Sequence, residues 1–376
     1  MVAEAKLVAM AELRKALQCT PPLWYNTTMK KDLGCLASHR AYLGKPPRKG
    51  GTAPFPCRPA DVFAKQVAGL AARLRFLRCR DVVVGLSGGL DSTLALLVCV
   101  AAFDRLGLGR RGIHAVTMPG FGTSRRTKGN ADRLAEGLGV PLETISIVPA
   151  CRRHFRDIGH DGRTPDVTFE NAQARMRTLI LMDRANMVGG IVVGTGDMSE
   201  IALGWCTFNG DHMSMFGVNS GVPKTIVRRV CEWWAGEEER KKEKGRGKKE
   251  KGNAVMGNGM LAAAAIRDIV ATPVSPELVK GQVTEDKIGP YELHDFFLWN
   301  FIVNEMGSKD LLKAAARHFG DAYPAETVAR TLKTFMHRFF TQAFKRNCAP
   351  DGVRVFGFDL SPRGWWVPSD IGAVRI

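Results

Sequence analysis

The amino-acid sequence predicts an α/β protein built on a doubly wound parallel sheet, with a helical C-terminal part. Three observations carry this prediction. Short β-branched runs recur at residues 81–86, 113–118, 142–147 and 190–195. Segments with helical spacing separate or follow them, at residues 92–103, 128–138 and 169–187. A glycine-rich turn joins the first run to the first of these helices. Strand and helix alternating at this rhythm predict parallel strands covered on both faces, joined by right-handed crossovers. Ligands of such sheets sit at the carboxyl ends of the strands.

Along the chain, residues 1–60 read as a leader and linker remnant. Residues 1–17 have helical periodicity. Pro21, Pro22, Pro46, Pro47, Gly50, Gly51, Pro54, Pro56 and Pro59 then break any regular element. Residues 60–78 return to helical spacing, with Val62, Phe63, Val67, Leu70, Leu74 and Leu77 on one apolar stripe. Residues 61–376 are expected to form one domain, interrupted at 236–259. That interruption contains EEERKKEKGRGKKEK (237–251), too poor in apolar residues to bury itself, and is expected to be a disordered insertion. Helical spacing resumes at residue 261 and includes residues 291–304 and 325–346. From residue 349 the chain is rich in Pro and Gly and reads as loop.

Composition narrows the function classes. The 376 residues are 45% hydrophobic and 24% charged, as in ordinary globular proteins. The nine cysteines are odd in number and none form a CxxC pair, which argues against a zinc site or a disulfide framework. A reducing, cytoplasmic setting is expected. Glu4 and Glu12 stand where a transit or signal peptide would be free of acids. The longest apolar run, residues 93–103, is too short to span a bilayer. The net charge of +17 raises nucleic-acid binding. Part of that charge lies in the 237–251 tract, and the remainder suits anionic small molecules, so nucleic acid is not the expected partner.

The turn after the first strand carries the most chemistry. It runs Gly85, Leu86, Ser87, Gly88, Gly89, Leu90, Asp91, Ser92. Glycines let backbone approach a ligand closely. The free N–H groups of the following helical turn then face an anion. Ser87 and Ser92 can add hydroxyl donors. No GK[ST] string is present, so this is not the Walker phosphate loop. Asp91 would repel phosphates unless a divalent cation lay between, which makes it a candidate Mg²⁺ ligand.

This SGGxDS string between strand and helix resembles the pyrophosphate loop of the ATP pyrophosphatase superfamily, whose sheet is of the adenine nucleotide alpha hydrolase-like type. Further strings narrow the resemblance. They are TMPGFGT (117–123), DIGHD (157–161), FENAQAR (169–175), GTGDMSE (194–200), ALGW (202–205), NGDHM (209–213), PKT (223–225), GPYELHDFF (289–297) and FKR (344–346). Together they look like the synthetase half of glutamine-dependent NAD synthase, from about Pro54 to the C-terminus.

The resemblance implies a carbon–nitrogen ligase. ATP would adenylate the nicotinate carboxylate of deamido-NAD, and ammonia would displace AMP to give NAD⁺. It implies that the turn from Gly85 to Ser92 holds ATP phosphates, with Thr195, Lys224 and Ser275 as further ATP contacts. Asp91 and Glu200 would share Mg²⁺, and Asp91, Glu200 and Lys224 would be catalytic. Deamido-NAD would meet Asn171, Arg175, Glu200, Trp205, Cys206, Thr207, Phe208 and Lys345. His160, His212 and His294 are expected to be structural. The family's habit implies a homodimer.

Two departures stand out. Glutamine-dependent members carry a nitrilase-like glutaminase domain before the synthetase part. About sixty residues precede it here, too few for that domain, and Cys19, Cys35 and Cys57 have no catalytic context. Free ammonia, a separate glutaminase or an N-terminal domain of a longer gene product is therefore the expected nitrogen source, and a catalytically impaired nucleotide-binding remnant, or a subunit needing a separate glutaminase, is the alternative. The second departure is SRRTKGN (124–130), where the family commonly shows an acid and an aromatic.

Overall fold

The computed structural model describes residue 55, residues 57–244, 259–273, 278, 283–356 and 358–361, and residues 364 and 369. The expected helix at residues 1–17, most of the linker and Ser275 lie outside the described residues.

Five parallel strands form the sheet: β1 (Val82–Gly85), β2 (Ile113–Thr117), β3 (Leu142–Thr144), β4 (Ile191–Gly194) and β5 (Phe216–Gly217), in the order β3-β2-β1-β4-β5. Side chains alternate between faces along each strand. Val82 and Val84 of β1 join one core, and Val83 joins the other. Helices α1 (Pro59–Leu77) and α2 (Leu90–Leu106) cover the first face. Helix α3 (Arg125–Leu138) packs there too. Helices α4 (Val148–Asp157) and α5 (Val167–Val188) cover the second. The predicted fold class is therefore the observed one.

Beyond β4 come α6 (Met198–Leu203), α7 (Lys224–Lys244) and α8 (Gly259–Val270). The helical C-terminal part follows as α9 (Thr284–Ile288), α10 (Tyr291–Ile302), α11 (Ser308–Phe319), α12 (Ala325–Thr341) and α13 (Ala343–Arg346). Among the described residues, no helix is long and apolar enough to cross a membrane.

Four expectations need correction. The third strand ends at Thr144, because the backbone at Ile147 is already helical and starts α4. The last long helix is broken at Gln342, where φ is −100° and ψ 13°. The segment after residue 349 is not all loop: Gly352 bridges Gly217 at the sheet edge, and Val353 and Val355 are buried. Helix α7 continues to Lys244, so residues 236–244 are helical rather than disordered. Arg267 of α8 holds Glu239 at 2.8 Å, and Lys241 pairs with Glu238 one turn away at 2.6 Å. Residues 245–258 lie outside the described residues.

The altered SRRTKGN string opens α3. Ser124 caps it by accepting from the Thr127 N–H at 3.1 Å. Arg126 and Arg133 both reach Asp268 of α8, at 2.5 and 3.1 Å. Arg126 of the string, with Arg133 beyond it, thus joins α3 to α8, whereas Lys128 pairs with Asp132 within α3. The two helices come very close at Gly137, where a Cβ would lie 2.4 Å from the Ala262 nitrogen.

Candidate active site

The turn between β1 and α2 is tightly built. Leu86 N donates to Val116 O at 2.8 Å, extending the β1–β2 ladder. Gly88 has φ +82°, and a Cβ there would lie 2.1 Å from the Thr127 carbonyl oxygen, so only glycine fits. Ser87 and Ser92 hydroxyls are 3.0 Å apart, and Ser87 Oγ also accepts from Gly89 N at 3.2 Å. Gly89 is the N-cap of α2, which places Asp91 in its first turn.

Across from this turn, β4 ends and the chain passes Thr195 into α6. Asp197 is the N-cap of α6, its Oδ1 accepting from Glu200 N at 2.8 Å. Helix α7 begins at Lys224. Its ammonium sits among three carboxylates: Nζ is 2.5 Å from Asp91 Oδ2, 2.9 Å from Asp197 Oδ2 and 2.9 Å from Glu200 Oε1. One oxygen from each acid lies within 4.8 Å of the others. Asp91 and Glu200, expected to face one cation, do share one cluster.

Burial shapes the charges. It pushes the Glu200 carboxyl up to about 7, with Lys224 opposing and Asp91 adding to the rise. It pushes Asp197 well above the carboxylate range, again against the pull of Lys224. Burial alone would lower Lys224, but Asp197, Asp91 and Glu200 outweigh it and hold the ammonium well above its ordinary value. Three acids face one ammonium, so the cluster has more carboxyl groups than the lysine can neutralise once all of them ionise. Asp91 Oδ1 is buried without a hydrogen-bond partner. An all-oxygen, anionic donor set with an orphaned oxygen fits a hard divalent cation such as Mg²⁺.

Sequence reasoning missed the parts that hold this cluster. Asp197 was legible as an N-cap three residues before Glu200 but was not assigned. Asp295 of α10, fully buried, accepts from Thr225 N at 2.9 Å, from Thr225 Oγ1 at 2.7 Å and from Ser199 Oγ. Burial pushes its carboxyl up to about 6 despite these donors. Ser199 Oγ in turn accepts from Lys224 N at 2.8 Å. The Tyr291 ring lies 5.3 Å from Lys224 Nζ. No local motif signals the Asp295 and Tyr291 contacts, because they join elements about 70 to 100 residues apart.

The predicted deamido-NAD residues gather around the segment after α6. Asn171 Oδ1 accepts from Thr207 Oγ1 at 2.8 Å, and Arg175 Nε donates to Phe208 O at 3.2 Å. Lys345 Nζ donates to Gly204 O at 2.8 Å and to Cys206 O at 2.7 Å. Arg338 stacks over Trp205 at 4.9 Å. Phe208 lies between His212 and Phe344. Trp205 N donates to Glu200 O at 2.9 Å, so this group adjoins the carboxylates through α6. His294 is buried, its Nε2 donating to Ile288 O at 2.8 Å, and burial lowers it to about 4.

The sheet order and the glycine-lined turn beside an acidic cluster define an α/β protein of the ATP pyrophosphatase fold. The family described as NAD synthase matches residues 62–346, and the chain belongs to it. It is 37% identical over 360 residues to a glutamine-dependent NAD(+) synthetase of Mycobacterium tuberculosis, covering 85% of this chain and 50% of that protein. It is 31% identical over 260 residues to the protein of that name from Thermotoga maritima, covering 69% and 40%. The chain thus spans about half the length of the curated relatives it matches. The fold resembles a glutamine-dependent NAD(+) synthetase from Cytophaga hutchinsonii with TM-score 0.63 at 16% identity, over 83% of this chain and 54% of that one. It also resembles an NMN synthetase from Francisella tularensis, with TM-score 0.53 at 23% identity, over 71% and 95%.

Proposed function

We propose that this chain catalyses the synthetase half of NAD⁺ formation. The nicotinate carboxylate of deamido-NAD attacks the α-phosphorus of ATP, and pyrophosphate leaves. Ammonia then adds to the acyl carbon, loses a proton, and expels AMP. The observation that carries this reading is the meeting of Asp91, Asp197, Glu200 and Lys224 at the mouth of the glycine-lined turn.

In this reading the turn from Gly85 to Ser92 receives the ATP phosphates on backbone N–H groups and the helix dipole. Asp91 and Glu200, with Asp197, would hold Mg²⁺, which supplies charge neutralisation as pyrophosphate departs. Lys224 exchanges its carboxylate partners for a phosphate, a role its compact charge suits. Asn171, Arg175, Lys345 and the residues from Trp205 to Phe208 bind and orient deamido-NAD. Positioning both substrates lowers the entropic barrier to the first displacement. Thr195 and Ser275 remain proposed ATP contacts. The complete cluster argues against the impaired-remnant alternative.

The nitrogen nucleophile in this proposal is ammonia. The homodimer reading rests on the family resemblance. The cytoplasmic assignment in this proposal rests on the cysteine spacing of the sequence, which holds no CxxC pair. Purified protein given deamido-NAD, ATP, Mg²⁺ and ammonium should yield NAD⁺, AMP and pyrophosphate in equal amounts. Absence of turnover at high ammonium would refute the proposal.

A further inference from the structure

Strand order reverses between β1 and β4, and in such sheets this point opens a crevice at the carboxyl ends. Pairing between β1 and β4 covers Val82 with Ile191 and Val83 with Val192. On its other side β1 stays paired as far as Gly85, opposite Val116. Asp91 therefore hangs on one wall of the crevice, and Thr195, Asp197 and Glu200 hang on the other.

Asn219, in the loop after β5, spans the gap. Its Nδ2 donates to Asp91 O and to Thr195 O, each at 2.9 Å. Its Oδ1 accepts from Gln66 Nε2 at 2.9 Å, and Gln66 also donates to Val218 O at 3.0 Å. Both residues are fully buried. Both amide N–H groups of Asn219 are used, and a reversed amide would set oxygen against two carbonyls. The loop is fixed to the β4 side by other means. Val218 N donates to Gly194 O at 3.3 Å, and Met198 N donates to Val222 O at 3.0 Å.

We propose that Asn219 is a positioning residue that sets the separation between Asp91 and the Asp197–Glu200 pair, with Gln66 orienting its amide. Asn219 itself binds no reactant. Its effect on catalysis rests on the adenylation reading above, whereas the bracket across the crevice does not.

The test uses the full chain with Asn219→Ala, Asn219→Asp and, one bond further out, Gln66→Met. Asn219→Asp keeps size and the Gln66 contact but turns an oxygen toward the two carbonyls. Hydrogen exchange should rise at residues 86–93 and 195–201 and stay unchanged elsewhere. The kcat should fall by about 10²-fold for both Asn219 variants and less for Gln66→Met, since displacements near 1 Å cost that much. Faster exchange at both segments in a chain whose wild type is itself inactive would keep the bracket and remove the functional reading. Unchanged exchange at both segments, or a uniform rise with kcat preserved, would overturn the proposal.

Discussion

Lys224→Met isolates the electrostatics of the site. The lysine side chain is 4% exposed and touches three carboxylates, of which Asp197 is fully buried. Methionine fills much of the space of the aliphatic stem but leaves the acids facing one another. Removing one partner from a buried ionic cluster costs about 3–5 kcal/mol. At about 3 °C per kcal/mol, the melting temperature should fall by about 10 °C at pH 8. The loss should shrink at low pH. Glu200 is held at about 7 against an ordinary 4.5, and Asp197 is also raised. The folded chain thus binds more protons than the unfolded one across that interval. Stability accordingly falls as pH rises from 4.5 to about 7, by roughly 3 kcal/mol for Glu200 alone. Without the ammonium both acids should hold protons to still higher pH, so the variant should recover at pH 5.5. Mg²⁺ should raise its melting temperature more than that of the wild type. Thermal melts from pH 5 to 9, with and without Mg²⁺, provide the assay. A variant as stable as wild type at pH 8, or one whose deficit ignores pH, would refute the reasoning.

Other substitutions separate roles. Asp197→Asn keeps the α6 cap, since asparagine caps as well as aspartate, but replaces a carboxyl group that would ionise to hold the cation. Turnover should fall at least 100-fold with the melting temperature unchanged or higher, as kinetics and melts on one preparation would show. Gly88→Ala places a Cβ 2.1 Å from the Thr127 carbonyl at φ +82°. It should cost about 2 kcal/mol or more, and calorimetry should find ATP binding lost. Asp268→Ala breaks the Arg126 and Arg133 pairs between α3 and α8. Those arginines are about half exposed, so denaturant melts should show a loss of about 0.2–1 kcal/mol with turnover intact.

Where local chemistry decides structure, the sequence was sufficient. The valines of 82–84 read as a buried strand, and the turn from Gly85 to Ser92 read as an anion cradle with Asp91 at its rim. Asp91 and Glu200 share one cluster, and Lys224, expected at ATP phosphates, sits between them. Helix α6 and strand β5, six and two residues long, are too short to leave a periodic signal. The charged end of α7 reads as disordered because its own residues bury little; its order comes from intrahelical pairs and from Arg267 on α8. Asp197, Asp295 and Asn219 act through contacts between distant elements. Asn219 looks like an ordinary loop residue until the fold sets Asp91 and Thr195 on either side of its amide.

Oxygen transfer tests the adenylation chemistry most directly. Deamido-NAD carrying ¹⁸O in its nicotinate carboxylate should be turned over with ATP, Mg²⁺ and ammonium, and the products read by mass spectrometry. Attack of the carboxylate on the α-phosphorus predicts one ¹⁸O atom in the AMP and none in the pyrophosphate. Label in pyrophosphate or phosphate, with unlabelled AMP or ADP, would contradict it.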